Sequence, residues 1–136
     1  MAMTDKQLHE LLAWSELHRS CAICWWPSSD YRREMEVHHI VGGQNRSKGH
    51  RVENYLKLCD RCHMAYHSGK IAANVPDLTM SHILAAKIET DEENYNLEVL
   101  AELKNRKALH WEPEPIPQFY LDERQDNVGF YKDRNP

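Results

Sequence analysis

Apolar residues recur at helical spacing in the first twenty residues of the chain. The positions that repeat with a period near 3.6 are Leu8, Leu11, Leu12 and, less strictly, Leu17. Thr4 stands before them, and its hydroxyl is suited to cap the first turn of a helix. The pattern therefore predicts a helix from Thr4 to about Arg19.

Short alternating segments replace the helical pattern in the middle of the chain. Residues 35–40 and 55–58 are typical of two short strands, separated by a polar, glycine-bearing loop. A helix of about two turns is predicted from Cys62 to Ser68, with Gly69 as its stop. We therefore expect two strands followed by one helix in this half.

The second half is predicted to be helical up to a proline-rich stop. Residues 79–89 form one helical pattern and residues 91–109 a second, which has Asp91 as its cap and basic residues near its end. Prolines within 111–117 end the helical structure. The polar residues 118–136 carry no predicted element, although their aromatic side chains could dock.

The composition, with 41% hydrophobic and 28% charged residues, is that of a soluble globular chain. No run of about 18 apolar residues is present, so no membrane span is expected. The first residues lack the apolar core of a secretory signal. We therefore expect the protein in a reducing cytoplasm, where its four cysteines favour metal binding over disulfides.

The net charge of −4 is distributed unevenly along the chain. Residues 21–70 carry eight Lys and Arg against five Asp and Glu, whereas residues 71–136 carry seven against thirteen. A basic segment suits a phosphate-bearing partner, and a solvated surface is the alternative. The predicted phosphate contacts are Arg32, Arg33, Arg46, Lys48, Arg51, Lys57, Arg61 and Lys70.

Two CxxC units, Cys21–Cys24 and Cys59–Cys62, have the spacing of a four-thiolate structural zinc site. Each unit is a tight turn that directs two sulfurs at one point. Four thiolates complete a tetrahedral shell and leave no open position for chemistry. A redox CxxC, which needs only one pair, and four buried apolar side chains are the alternatives. The zinc is predicted to hold together a segment that has few aliphatic core residues.

Histidines near the cysteine pairs predict a second metal site. His63 and His67 are four residues apart on the predicted helix, so their rings lie on one face. A third ligand must come from elsewhere, and His38 or His39 on the preceding strand is the candidate. Three imidazoles leave positions open for water and a phosphate oxygen, as in a catalytic metal site.

The order and spacing of five polar residues match the HNH nuclease motif: His38, His39, Asn54, His63 and His67. The segment from about residue 20 to residue 70 resembles the HNH endonucleases of the ββα-metal fold. The paired CxxC units are similar to those of the zinc-bearing branch of that family. Small stand-alone HNH proteins of phages and mobile elements are the type that it resembles.

The resemblance implies a role for each motif position. His38, His63 and His67 would be ligands of a catalytic divalent metal. His39 would be the general base that takes a proton from the attacking water, as an imidazole with a pKa of about 6.5 can do near neutral pH. Asn54 would bind across the hairpin loop and hold His39 in position. The reaction would be DNA phosphodiester hydrolysis, nicking or double-strand, to 5′-phosphate and 3′-hydroxyl ends.

Two features of the motif leave questions to the structure. Adjacent residues of a regular strand point to opposite faces, so His38 and His39 can meet in one site only if the strand ends or bends there. Many HNH proteins have an aspartate at the position of His38, which leaves the metal open among Mg²⁺, Mn²⁺, Ni²⁺, Co²⁺ and Zn²⁺. His50, in the long loop, is predicted to be a surface residue, with a DNA contact as the alternative, and His18 is predicted to be an ordinary helix residue.

The predicted fold class is α+β, with a small ββα-metal core over 21–70 that the four-cysteine zinc site staples. An N-terminal helix over 1–20, a helical extension over 71–110 and a Pro-rich, polar tail over 111–136 flank it. DNA is the predicted partner, and phage packaging or recombination proteins are further candidates in a host cytoplasm. The acidic extension is expected to pack on the core, form a dimer, contact a protein partner or present a solvated helical face.

Two functions of different class fit the chain. One is an HNH endonuclease, and the alternative is a zinc-stabilised DNA- or protein-binding module with a degenerate HNH fold. A degenerate site would be expected to lack one of the five motif residues. All five are present, which favours the enzyme.

Overall fold

The computed structural model describes residues 3–42, 48–67, 74–107 and 109–134, with side chains up to residue 127. In chain order the elements are α1 (Asp5–Leu17), β1 (Met35–His39), β2 (Tyr55–Cys59), α2 (Asp60–His67), α3 (Met80–Asp91), α4 (Leu97–Leu103) and α5 (Gln118–Arg134). Within these ranges the fold is α+β, with one two-stranded sheet, which confirms the predicted class. None of the helices described is long and apolar enough to cross a bilayer.

The antiparallel pair β1 and β2 leads directly into α2 and forms the ββα unit. The register runs from the Met35–Cys59 pair at one end to the His39–Tyr55 pair at the other. All five residues of β2 are buried. β1 ends at His39, the second of the two adjacent histidines. This strand end is the condition that the sequence analysis set for both side chains to face one site.

Trp14, rather than the predicted leucine stripe, anchors α1. Thr4 caps the helix as expected and forms a capping box. Leu8 and Leu12 are 43% and 55% exposed, whereas Trp14 is 4% exposed. The indole of Trp14 donates a hydrogen bond of 2.8 Å to the carboxylate of Asp91. The helix is therefore anchored by one aromatic residue whose ring is buried and whose N–H forms a hydrogen bond. A count of apolar positions does not reveal such an anchor.

The helices after residue 74 are divided differently from the prediction. Asp91 is the last residue of α3, not the cap of a helix over 91–109. The next helix, α4, begins at Leu97 behind Asn96, whose side chain accepts a hydrogen bond from the N–H of Val99. The carboxylate of Asp91 is used for contacts with other elements, so the local capping signal misplaced this boundary.

A buried polar cluster centred on Asp91 joins α1, α3 and the turn before β2. Besides the indole of Trp14, the carboxylate accepts a hydrogen bond from the ammonium of Lys87. Lys87 is 0% exposed and also donates to the backbone carbonyls of Val52 and Tyr55, at 2.7 and 2.8 Å. All three ammonium hydrogens thus have acceptors, which offsets the cost of burying the charge.

His18 belongs to the same cluster and is not the ordinary helix residue that the sequence predicted. Its Nε2 lies 3.2 Å from Oδ1 of Asp91, and its ring stacks on Trp14 with centroids 4.5 Å apart. The hydrogen bond to Asp91 raises the pKa of His18 above the usual 6.5, although burial opposes the shift.

We expect the substitution His18→Gln to destabilise the fold more at pH 6 than at pH 9. A raised folded-state pKa contributes stability that is fully present below the unfolded value of about 6.5 and is lost as pH rises through the folded pKa. Urea unfolding midpoints of both proteins at the two pH values measure the difference. His9→Gln, at an exposed position of α1, is the control. Equal losses at both pH values would contradict a protonated His18.

The tail that the sequence left without structure contains α5, which covers the first CxxC unit. Arg124 donates to the carbonyl of Ile23 at 2.6 Å, and the amide of Asn127 donates to the carbonyl of Cys24 at 2.7 Å. Tyr120 is fully buried, so an aromatic side chain of this segment does dock. Because α5 also docks through the polar side chains of Arg124 and Asn127, its apolar residues do not form a clear stripe for a periodicity search to detect.

Candidate functional site

All four cysteines are fully buried and form one cluster. Their sulfurs lie within 4.8 Å of one another, and those of Cys24 and Cys59 are 3.7 Å apart. The N–H of Cys62 lies 3.5 Å from the sulfur of Cys59, as expected when a tight CxxC turn directs both sulfurs inward. The two CxxC units therefore meet as predicted, and their donor set fits a structural zinc ion.

Two arginines that were predicted to contact phosphates face this sulfur cluster instead. Nη1 of Arg33 lies 3.4 Å from the sulfur of Cys24, and its guanidinium stacks on Trp26 at 4.0 Å from the ring centroid. Arg61 donates to the sulfur of Cys62 and pairs with Glu123 of α5. Positive charge beside thiolates favours their ionised form. Both arginines support the cysteine cluster, so their assignment as DNA contacts is corrected.

The other predicted phosphate contacts differ in exposure. Lys57 is 7% exposed and donates to the hydroxyl of Ser15, so its assignment is also corrected. Arg32 and Arg51 are exposed but pair with Asp30 and Glu53, at 2.7 and 3.2 Å. The lysine at position 48 is exposed, whereas Arg46 and Lys70 lie outside the described residues.

His38 from β1 meets His63 and His67 from α2. One ring nitrogen of each lies within 4.8 Å of the others, and Nδ1 of His38 is 3.2 Å from Nε2 of His63. In the described structure, the buried Nε2 of His38 has no hydrogen-bond partner. Burial, together with the neighbouring imidazoles, lowers the pKa of His38 to about 3. A neutral His38 whose Nδ1 faces Nε2 of His63, with the imidazole of His67 close by, fits coordination of a divalent cation.

Glu36 is a site residue that the sequence did not reveal. Its Oε1 lies 3.0 Å from Nδ1 of His63, so the opposite nitrogen of that ring is turned toward His38. Histidines that bind metals usually have such a carboxylate or carbonyl partner on the second nitrogen. The available signal was strand alternation, which places Glu36 on the same face of β1 as His38.

His39 and His50 bring the number of imidazoles in the site to five. A cleft of about 630 Å³ is lined by His38, His39, His50, His63 and His67. Nε2 of His39 lies 3.2 Å from Nδ1 of His50, and the two rings pack edge to face. His50, which the sequence analysis left outside the proposed site, is thus half-buried in the cleft beside His39. The tertiary structure places His50 in the cleft, and no local sequence pattern predicts that position.

Asn54 fastens the loop that follows β1. Its Oδ1 accepts from the N–H of Val41 at 2.7 Å, and its Nδ2 donates to the carbonyls of Val41 and Gly49 at 3.0 and 3.1 Å. The backbone carbonyl of Asn54 also accepts from Ile40 at 2.8 Å. Asn54 is 0% exposed, so these bonds replace water and hold Val41 and Gly49 beside the end of β1.

The second wall of the cleft comes from the segment after α4, far from the motif in sequence. The residues of this segment that line the cleft together with the histidines are Leu103, Lys104, Asn105 and Arg106. Among the described residues that line the cleft there is no aspartate or glutamate. The cleft is therefore polar, rich in imidazole and free of carboxylate charge along this described lining.

Comparisons with known proteins agree with this geometry. Residues 21–69 match the family model described as HNH endonuclease. The chain is also 28% identical over 102 residues to L359, a protein of Acanthamoeba polyphaga mimivirus named as a homolog of the DNA mismatch repair protein mutS. That match covers 65% of this chain and 8% of the viral protein. No solved structure matches significantly. Residues 21–69, which hold both CxxC units and the histidine–asparagine motif, are therefore the part of the chain that matches the HNH endonuclease family.

Proposed function

We propose that the protein is a metal-dependent endonuclease that hydrolyses DNA phosphodiester bonds to 5′-phosphate and 3′-hydroxyl ends. The observation that carries the proposal is the cleft in which five imidazoles converge. A cleft with basic groups and without carboxylates on its described lining attracts a polyanion. The mimivirus relative is named as a DNA repair protein, which agrees with DNA as the substrate class.

The three clustered imidazoles are the proposed ligands of the catalytic ion. His38, His63 and His67 fit a divalent cation from among Mg²⁺, Mn²⁺, Ni²⁺, Co²⁺ and Zn²⁺. When bound, such an ion supplies charge to stabilise the phosphate and the departing oxygen. Glu36 holds the ring of His63 by a hydrogen bond of 3.0 Å, which keeps that ring in its ligand orientation.

His39 is the proposed general base. It stands at the end of β1, and its ring packs edge to face against both His50 and Tyr55, with centroids 5.3 Å apart in each case. These contacts orient the imidazole so that it can accept a proton from the attacking water. Asn54 acts indirectly, because it fixes the loop that leaves β1 directly after His39. A single cleft of this kind cuts one strand, so double-strand cleavage would need two chains or two binding events.

A plasmid nicking assay across the five divalent metals tests the proposal. His39→Ala is expected to lower the rate by about 10²–10⁴-fold, since that is the usual contribution of a general base. Zinc content and circular dichroism should stay unchanged, because the substitution does not touch the cysteine cluster. His9→Ala makes the same chemical change at an exposed position and should retain full activity.

Two outcomes would count against the proposal. Full activity of the His39→Ala protein would remove His39 as the base. Binding of duplex DNA without cleavage in any of the metals would favour the alternative, a zinc-stabilised binding module that has kept the HNH fold.

A further inference from the structure

The turn after α4 holds two basic residues against the cleft by a defined backbone geometry. Asn105 has a φ of 58°, a left-handed conformation that asparagine tolerates better than most residues. The N–H of Asn105 donates to the carbonyl of Glu102, and the N–H of Arg106 donates to the carbonyl of Ala101, both at 2.9 Å. This bonding pattern is a Schellman motif. It ends α4 and fixes the direction in which Lys104 and Arg106 leave the helix.

The charges of these two residues are not neutralised by carboxylates in the described structure. Neither Lys104 nor Arg106 forms an ion pair with a described Asp or Glu, whereas Arg33, Arg51 and Arg61 each do. The ammonium of Lys104 lies 5.4 Å from the ring centroid of Trp111, a contact that leaves the charge in place. The arginines of the motif half are thus largely committed to other groups, and this turn offers available charge at the cleft itself.

We propose that the turn after α4 forms a phosphate-binding wall of the nuclease cleft, with Arg106 and Lys104 as its contacts to the DNA backbone. The assignment rests on the proposed nuclease function and extends it to a segment outside the matched family domain, which spans 21–69. A DNA backbone that enters the cleft would contact both the imidazoles and this wall, because the two sets of residues line the same cleft. A guanidinium pairs well with phosphate oxygens because it presents a planar set of donors.

The wall is tested by measuring how tightly a fluorescently labelled 20-base-pair duplex binds, using fluorescence anisotropy. The full chain carries His39→Ala in this experiment, so that binding is measured without cleavage. Each lost phosphate contact should reduce the slope of log affinity against log salt by about 0.9. Arg106→Gln should therefore weaken binding about eightfold at 0.1 M salt, and Lys104→Gln should add a comparable loss. Arg106→Lys should retain most of the affinity, because it keeps the charge.

Lys107→Gln is the matched control, because it removes one positive charge from the next, exposed residue, which does not line the cleft. Equal losses for Arg106→Gln and Lys107→Gln would overturn the wall, and so would a failure of the chain to bind duplex DNA at all. The nuclease proposal fails separately if the protein with His39 intact cleaves no plasmid. In that case, a larger loss of DNA affinity for Arg106→Gln than for Lys107→Gln would still identify the wall as a DNA contact.

Discussion

Cys59→Ser is expected to unfold the segment over residues 21–69 and to abolish zinc binding. All four sulfurs are buried in one cluster, and a zinc site of this type supplies on the order of 10 kcal/mol of apparent folding free energy. Cys62 is followed directly by His63, so the loss of the cluster also displaces a proposed ligand of the catalytic ion. Elemental analysis, circular dichroism and plasmid nicking should therefore all change together.

Met64→Ala is the control for this substitution. Met64 lies on the same helix, α2, but is 52% exposed, so its removal should leave about one zinc per chain and an intact fold. A Cys59→Ser protein that kept its zinc and its thermal midpoint would contradict a structural role for the cluster. Zinc removal from the wild-type chain by a chelator should reproduce the unfolding.

Lys87→Met is expected to destabilise the fold by about 3–5 kcal/mol, because it removes one partner of a buried ion pair and leaves the Asp91 carboxylate without it. The carbonyls of Val52 and Tyr55 lose a donor as well. Urea unfolding measures the loss. Lys6→Met, on the exposed surface of α1, should change the free energy of unfolding by less than about 0.5 kcal/mol.

The same substitution should also slow DNA cleavage under conditions where the variant remains folded. The two carbonyls that accept from Lys87 flank Asn54, and Asn54 holds the loop at the end of β1. A loosened turn would therefore let the proposed base, His39, sample other orientations. Wild-type nicking rates in a stably folded Lys87→Met protein would show that the turn keeps its shape without the lysine.

Elements defined by short-range spacing could be predicted well. The two CxxC units and the pair His63 and His67 meet as expected, because residues three or four apart in a turn or helix have little freedom in relative position. The strand end at His39 also follows from local logic, since two adjacent ligating or catalytic residues need it. Misplaced boundaries, such as that at Asp91, arose where a side chain bonds to another element instead of its own helix end.

The surroundings of these residues depend on partners far away in sequence. Arg33 and Arg61 are as basic as any surface arginine, and only the packing of α5, through Glu123, and of the sulfur cluster turns them inward. His50 lies in the cleft because the preceding residue, Gly49, is held through its carbonyl by a hydrogen bond from Asn54, five residues later in the chain. Composition and charge counts could not distinguish these side chains from exposed ones.

The sequence by itself determined which donor groups could share a metal ion, because ligand type and short spacing decide this. Tertiary structure alone decided which charges remain available to a substrate. Arg124 donates a hydrogen bond to the carbonyl of Ile23, which lies 101 positions earlier in the chain. Lys104 and Arg106 line the same cleft as histidines that lie about forty or more residues earlier. Contacts over such separations depend on how the whole chain packs, and no local pattern records them.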